Sequence, residues 1–392
     1  MTGPFALMAA TAFSAYHVIS NEVTHPTPAL ERVVHQVQVG SSPLNRFAIT
    51  HVHKHGRSRG SLILLSPFLL PGAFYEISES GGYGKSAAAR LAESGIDVWL
   101  VDQRRTGLAP GACESGAADC SAMLDWDFDA YSDDALFALS LVKRQQHGSC
   151  KKPVIGGFSA GSNAALATLN RAPREFSGVF LYEGTFFTED ASIRAHNDAT
   201  CSTLEDQLSQ GISYDPSAAV PGLVLQLAAA DPNGAFPLPV FPPGTTNQQA
   251  MFYVFGSPPP PGALSPTPSF VRCITDFTTQ SFVYTNEARL KLVGPLFDSY
   301  ASLPALRDLA CGLAGRDDSH YRNLGAFRGD ALVFVEGTGF GAAMFDTVSL
   351  FDARVDVTIE SHPELGEADP YFHHRWTQVF LTPLNRWLQR VF

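Results

Sequence analysis

The sequence predicts an α/β fold with a mostly parallel central sheet, helices on both faces and one large insertion. Three observations carry that expectation. Short apolar runs alternate with amphipathic runs through the first half of the chain, the pattern of parallel strands joined by crossover helices. A strand-like run, Pro153 to Gly157, passes straight into a helix-like run of small residues. After a long irregular stretch, strand-like runs return at Ala331 to Val335 and Val355 to Ile359.

Taken in order, residues 1–44 form an N-terminal segment and 45–190 the first part of a core. Ser61 to Leu65 (SLILL) is a buried strand. Lys85 to Ser94 is a helix with Ala87, Ala88, Leu91 and Ala92 on one face. Val98 to Val101 is the next strand. Ser132 is the expected cap of a following helix, with Asp133 and Asp134 in its first turn, where the helix dipole favours negative charge. Val179 to Tyr182 is a further strand. Residues 191–327 read as an inserted lid, helical around Asn286 to Leu313 and rich in Pro from Pro232 to Pro268. A connection that long is not a simple loop. Residues 328–392 complete the core and end in a helix with Val379, Phe380, Leu384, Trp387, Leu388 and Val391 on one face.

Composition narrows the partners. The 392 residues carry a formal net charge of −11 with no run of Lys and Arg, which argues against a nucleic-acid phosphate backbone. No apolar run is long enough to span a membrane. Pro4 to Ala15 has the length of a signal peptide without its basic start, so localisation stays open between export and the cytoplasm. Of six cysteines, Cys113 and Cys120 bracket a loop that a bridge could close, and Cys201, Cys273 and Cys311 fall in the insertion. No CxxC spacing points to zinc, and no metal or cofactor is expected.

The chemistry centres on Gly157-Phe158-Ser159-Ala160-Gly161, a G-x-S-x-G pentapeptide between strand and helix. A serine on so sharp a turn needs small neighbours, here Gly157 and Gly161, and has its hydroxyl lifted above the sheet. The helix that follows favours negative charge developing at that point.

With this elbow the chain resembles the α/β-hydrolase superfamily over about residues 45–190 and 328–392. It is similar to bacterial serine hydrolases in which a Gly-His-x-Asp motif precedes a last helix ending in Trp-Leu, here Trp387-Leu388. Ser66-Pro67-Phe68 stands where the family has its oxyanion loop, and Asp102 to Gly107 resembles its D-x-R-G turn. The resemblance implies Ser159 as nucleophile and the N–H groups of Ala160 and Phe68 as oxyanion donors, with Leu69 an alternative to Phe68.

Base and acid depart from the family. Gly366-Glu367-Ala368-Asp369 puts Glu367 in the histidine's place. An ordinary carboxyl is a poor substitute, because at neutral pH too little of it is protonated to serve a leaving alkoxide unless burial raises its pKa. His362, close after the last strand, is the favoured base, with His374 or His373 as alternatives. The latter two are expected to be exposed or to cap the last helix. For the acid, the usual position falls near Phe340, which is not acidic. Glu183, at the end of the strand after the nucleophile helix, is favoured over Glu336. Either carboxylate could instead be a structural partner of Arg104 or Arg105.

The expected activity is hydrolysis of carboxylic esters with an apolar acyl or aryl group, through an acyl-enzyme on Ser159. The phenylalanines of the insertion (Phe236, Phe241, Phe252, Phe255, Phe270, Phe277, Phe282) are a candidate binding wall or, equally, its own core. Alternatives are a hydrolase-fold protein with an impaired triad that binds an apolar ligand, and an acyltransferase. The partner is a small-molecule ester; the sequence does not fix the oligomeric state.

Overall fold

The computed structural model describes residues 13–78, 82–145, 151–256 and 281–392. Its centre is a nine-stranded mixed sheet: β1 (Tyr16–Thr27), β2 (Leu30–Val39), β3 (Arg46–Lys54), β4 (Gly60–Leu65), β5 (Ile96–Val101), β6 (Val154–Phe158), β7 (Gly178–Tyr182), β8 (Asp330–Glu336) and β9 (Val357–His362). The spatial order is β1-β2-β3-β5-β4-β6-β7-β8-β9. β1 to β3 run antiparallel and β3 pairs antiparallel with β5, whereas β5 through β9 are mutually parallel. β4, β6 and β7 are buried along their whole length, as strands covered on both faces are.

Residues 1–44 therefore contribute β1 and β2 to the sheet. β1 is exposed along most of its length, so no apolar alternation marks it in the sequence.

The helices pack on both faces. α1 (Ala87–Glu93) begins at Ser86, whose hydroxyl accepts the Ala89 N–H at 3.2 Å. α2 (Phe128–Gln145) starts one turn earlier than expected. Asp127 accepts the Ala130 N–H at 2.8 Å, while Ser132 sits inside the helix and donates to the Phe128 carbonyl. The carboxylate outcompetes the hydroxyl as cap, and Phe128 and Tyr131 extend the buried stripe by a turn. α3 (Ala160–Arg171) follows the elbow and is buried over nearly its whole length.

Between β7 and β8 lie α4 (Ala191–Ser209), α5 (Ala219–Ala230), α6 (Asn247–Gly256), α7 (Glu287–Lys291) and α8 (Leu303–Leu313). Phe252, Phe255 and Phe282 are buried in one cluster with Phe74, Phe158 and Tyr182. They are core, not an open binding wall. Phe236 and Phe241 are partly buried against the same cluster, and Phe270 and Phe277 lie outside the described residues. A disulfide joins Cys201 of α4 to Cys311 of α8, and a second closes the Cys113–Cys120 loop. Cys150 and Cys273 lie outside the described residues. Among the described residues no helix is long and apolar enough to cross a membrane.

After β8 come α9 (Ala342–Val348), β9, α10 (Asp369–Phe372) and, behind one wide turn at Thr377–Leu381, α11 (Thr382–Val391), which buries Leu384, Trp387 and Leu388.

Candidate active site

β6 delivers Phe158 into the core and then turns sharply. Ser159 has φ 53° and ψ −126°, a conformation that L-residues rarely adopt. The turn is held from below: Ser159 N–H donates to the Tyr182 carbonyl at 2.7 Å, and the Tyr75 hydroxyl accepts the Phe158 N–H at 3.1 Å. A Cβ on Gly157 would sit 2.7 Å from the Leu65 carbonyl oxygen, and one on Gly161 would stand 2.9 Å from that of Ser66, so both positions are closed to side chains. Ala160 opens α3, and its N–H has no intrahelical acceptor.

Three non-glycine residues among those described have positive φ: Leu69, Ser159 and Glu183. Strain of this kind persists where surrounding structure enforces it, and it clusters at functional sites. Leu69 lies in the loop after β4. Its carbonyl accepts the Asp298 N–H at 2.8 Å, and Asp298 in turn takes the Thr106 hydroxyl and N–H. Ser66 anchors the same loop, accepting the Gln103 N–H at 2.8 Å. Phe68 is half-buried there.

The group set against the Ser159 side chain is Glu367, whose carboxyl lies close enough for the hydroxyl to favour its ionised form. Glu367 is only 7% exposed. Burial pushes its carboxyl up to about 8, the nearby Glu183 charge adds to the rise, and the neighbouring Ser159 hydroxyl opposes it.

Glu183 stands directly behind. A Cβ on Gly339 would strike the Glu183 carboxyl and lie 3.2 Å from the Glu367 Cα, so this glycine lets the two groups approach. Glu183 Oε1 accepts the Glu336 N–H at 2.9 Å, and Oε2 accepts the Phe340 N–H. Burial raises Glu183 to about 7, against the pull of these hydrogen bonds. The Phe340 position thus supplies a backbone donor to Glu183.

His362 closes β9 instead of following it, in register with Glu336. Its Nδ1 lies 3.4 Å from Glu336 Oε1, and burial lowers its pKa. Glu367 is the titratable group beside Ser159, and the partner of His362 is Glu336. His373 is buried, not exposed, and its Nδ1 accepts the Arg375 N–H at 2.8 Å; His374 is exposed. Asp369 is tied to the Gly366 N–H at 2.7 Å and to the Thr285 hydroxyl. Arg104 pairs with Asp134 at 2.9 Å, and Arg105 donates to the Leu296 carbonyl at 3.0 Å. Both arginines thus have partners other than Glu183 and Glu336.

The arrangement is a serine on a strained turn, a buried carboxyl beside it, and further carboxyls behind. Glu367 was visible in the sequence as an acid in an imidazole's place. Its burial was not, because the residues that enclose it come from β7, the turn after β8 and the loop after β9.

No family model and no curated protein matches the chain. Solved structures do. A Sulfolobus solfataricus protein provisionally named a lipase aligns at 18% identity with a TM-score of 0.66, over 95% of this chain and 99% of that one. A carboxyl esterase from Bacillus coagulans, in complex with glycerol, aligns at 10% identity and a TM-score of 0.53, over 93% and 99%. A lipase in open form aligns at 16% identity and a TM-score of 0.50, over 91% and 99%. Identity this low speaks for the fold and not for the activity. On its sheet order, its strand–turn–helix elbow and these near-complete alignments, the chain is built on the α/β-hydrolase fold.

Proposed function

We propose that the protein hydrolyses carboxylic esters, with Ser159 as nucleophile, Glu367 as general base and acid, and Glu183 as the charge behind it. The supporting observation is a buried carboxyl, pushed up to about 8, set beside the side chain of a serine held on a strained strand-to-helix turn. A carboxyl in that range is substantially present in both protonation states near neutral pH, which an ordinary glutamate is not.

The Glu367 carboxylate takes the Ser159 proton as Oγ attacks the ester carbonyl. The N–H groups of Ala160 and Phe68 receive the oxyanion. Protonated Glu367 then gives its proton to the leaving alkoxide. Water, deprotonated by the same carboxylate, releases the acid and restores Ser159. Phe68, Leu69 and Leu70, on the loop whose start packs against the elbow, favour an apolar acyl or aryl group.

Ser159→Ala is expected to abolish turnover of short p-nitrophenyl esters and labelling by a fluorophosphonate, with the fold retained by circular dichroism. Glu367→Gln should lower kcat/KM by about 10²-fold or more, the usual scale of general acid–base catalysis. Undiminished turnover by Ser159→Ala refutes the assignment. Absence of fluorophosphonate labelling in the unaltered protein favours a binder of apolar ligands.

A further inference from the structure

Around Glu183 the hydrogen bonds are matched with one exception. Both Glu183 oxygens accept backbone N–H groups, which marks it as the anion of the group. Glu183 Oε1 sits on the Glu336 backbone N–H at 2.9 Å, and the two carboxyls act on one another electrostatically as close neighbours. Glu336 Oε1 faces His362 Nδ1, while Glu336 Oε2 is buried with no hydrogen-bond partner. Glu336 is wholly buried. Two ionised carboxylates in such contact would repel and would leave Oε2 unmatched; one shared proton removes both faults.

We propose that Glu336 is a neutral carboxylic acid whose Oε2–H donates to the Glu183 carboxylate, fixing a negative charge behind Glu367. The assignment rests on Glu367 being the base. Glu336 is a positioning residue: it acts through Glu183 and not on the substrate. His362, its ring 19% exposed at the end of β9, completes the set as Nδ1–H donor to Glu336 Oε1.

The surroundings agree. Glu336 is faced by Glu183, Glu367 and Asp369, whose carboxylates resist a further negative charge, and by the neutral Tyr182 phenol. His362 has Glu360, Glu364 and His373 around it.

Two readouts test this. The first uses the inactive Ser159→Ala background. Above the Glu367 titration, at about pH 9, the infrared difference between that protein and its Glu336→Gln derivative should show the loss of one protonated carboxylic-acid carbonyl band. No lost band overturns the proposal, whether or not Ser159 hydrolyses esters. The second is the pH profile of hydrolysis. Glu336→Gln keeps an N–H donor to Glu183 and should keep the rising limb in its native place. Glu336→Met keeps the shape without the donor. Glu183 then takes up a proton, Glu367 loses its negative neighbour, and the limb should move to lower pH with about a tenfold fall in plateau kcat. Identical profiles for the Gln and Met variants overturn the positioning role. If the unaltered protein hydrolyses no ester, the base assignment fails, and the infrared experiment still decides the state of Glu336.

Discussion

Glu367 occupies a position where this fold's relatives, by the resemblance of the surrounding motif, carry imidazole. A carboxyl differs from imidazole mainly in where it titrates, and burial beside Glu183 closes much of that gap. Gly339 leaves the space that the Glu183 carboxyl occupies next to the Glu367 backbone. Gly339→Ala would press on the Glu183 carboxyl. It should destabilise the protein by about 1–3 kcal/mol, the usual scale of overpacking, with a larger proportional loss of activity than of folded protein. Thermal melts and esterase assays on the same sample check this. At this scale the strained turn at Ser159 was legible, because a G-x-S-x-G run between strand and helix is a local pattern. It did not reveal the Ser159–Glu367 pairing, because 208 positions separate the two residues and only the sheet brings them together.

Elements were legible where their pattern was local. β4 to β7 and the final helix fell within a few residues of their expected places. The start of α2 was missed because a carboxylate at Asp127 capped it ahead of Ser132. β1 was missed because an exposed edge strand lacks apolar alternation. In the inserted segment, α4 and α8 pack together and are tied by Cys201–Cys311, which spans 110 residues. Replacing both cysteines by serine should cost about 2–5 kcal/mol of stability, since closing so long a loop in the unfolded chain is entropically expensive. The variant's denaturation midpoint under non-reducing conditions, against that of the unaltered protein, measures it. An unchanged midpoint would mean that the bridge does not constrain unfolding.

For the molecule as a whole, buried carboxyls set the response to pH. Glu183 and Glu367 are raised from 4.5 to about 7 and about 8. Below 4.5 both folded and unfolded chains hold these protons, and the two groups contribute no pH dependence. Between 4.5 and about 8 the folded chain holds protons that the unfolded chain has released, so stability falls as pH rises through that window. The net charge of −11 adds self-repulsion in the same direction. Tm should therefore be higher at about pH 5 than at about pH 8.5. Glu367→Gln should flatten the difference, which differential scanning calorimetry at both pH values would show.

The most direct test of the account is the pH dependence of kcat/KM for ester hydrolysis in the unaltered protein and in Glu367→His. With Glu367 as base, the native limb rises through about 8, because only the ionised carboxylate accepts the Ser159 proton. Histidine at the same position should carry that limb down towards about 6.5, the imidazole range. If Glu367→Gln instead keeps full activity while His362→Gln loses it, the base is His362 and the account is wrong.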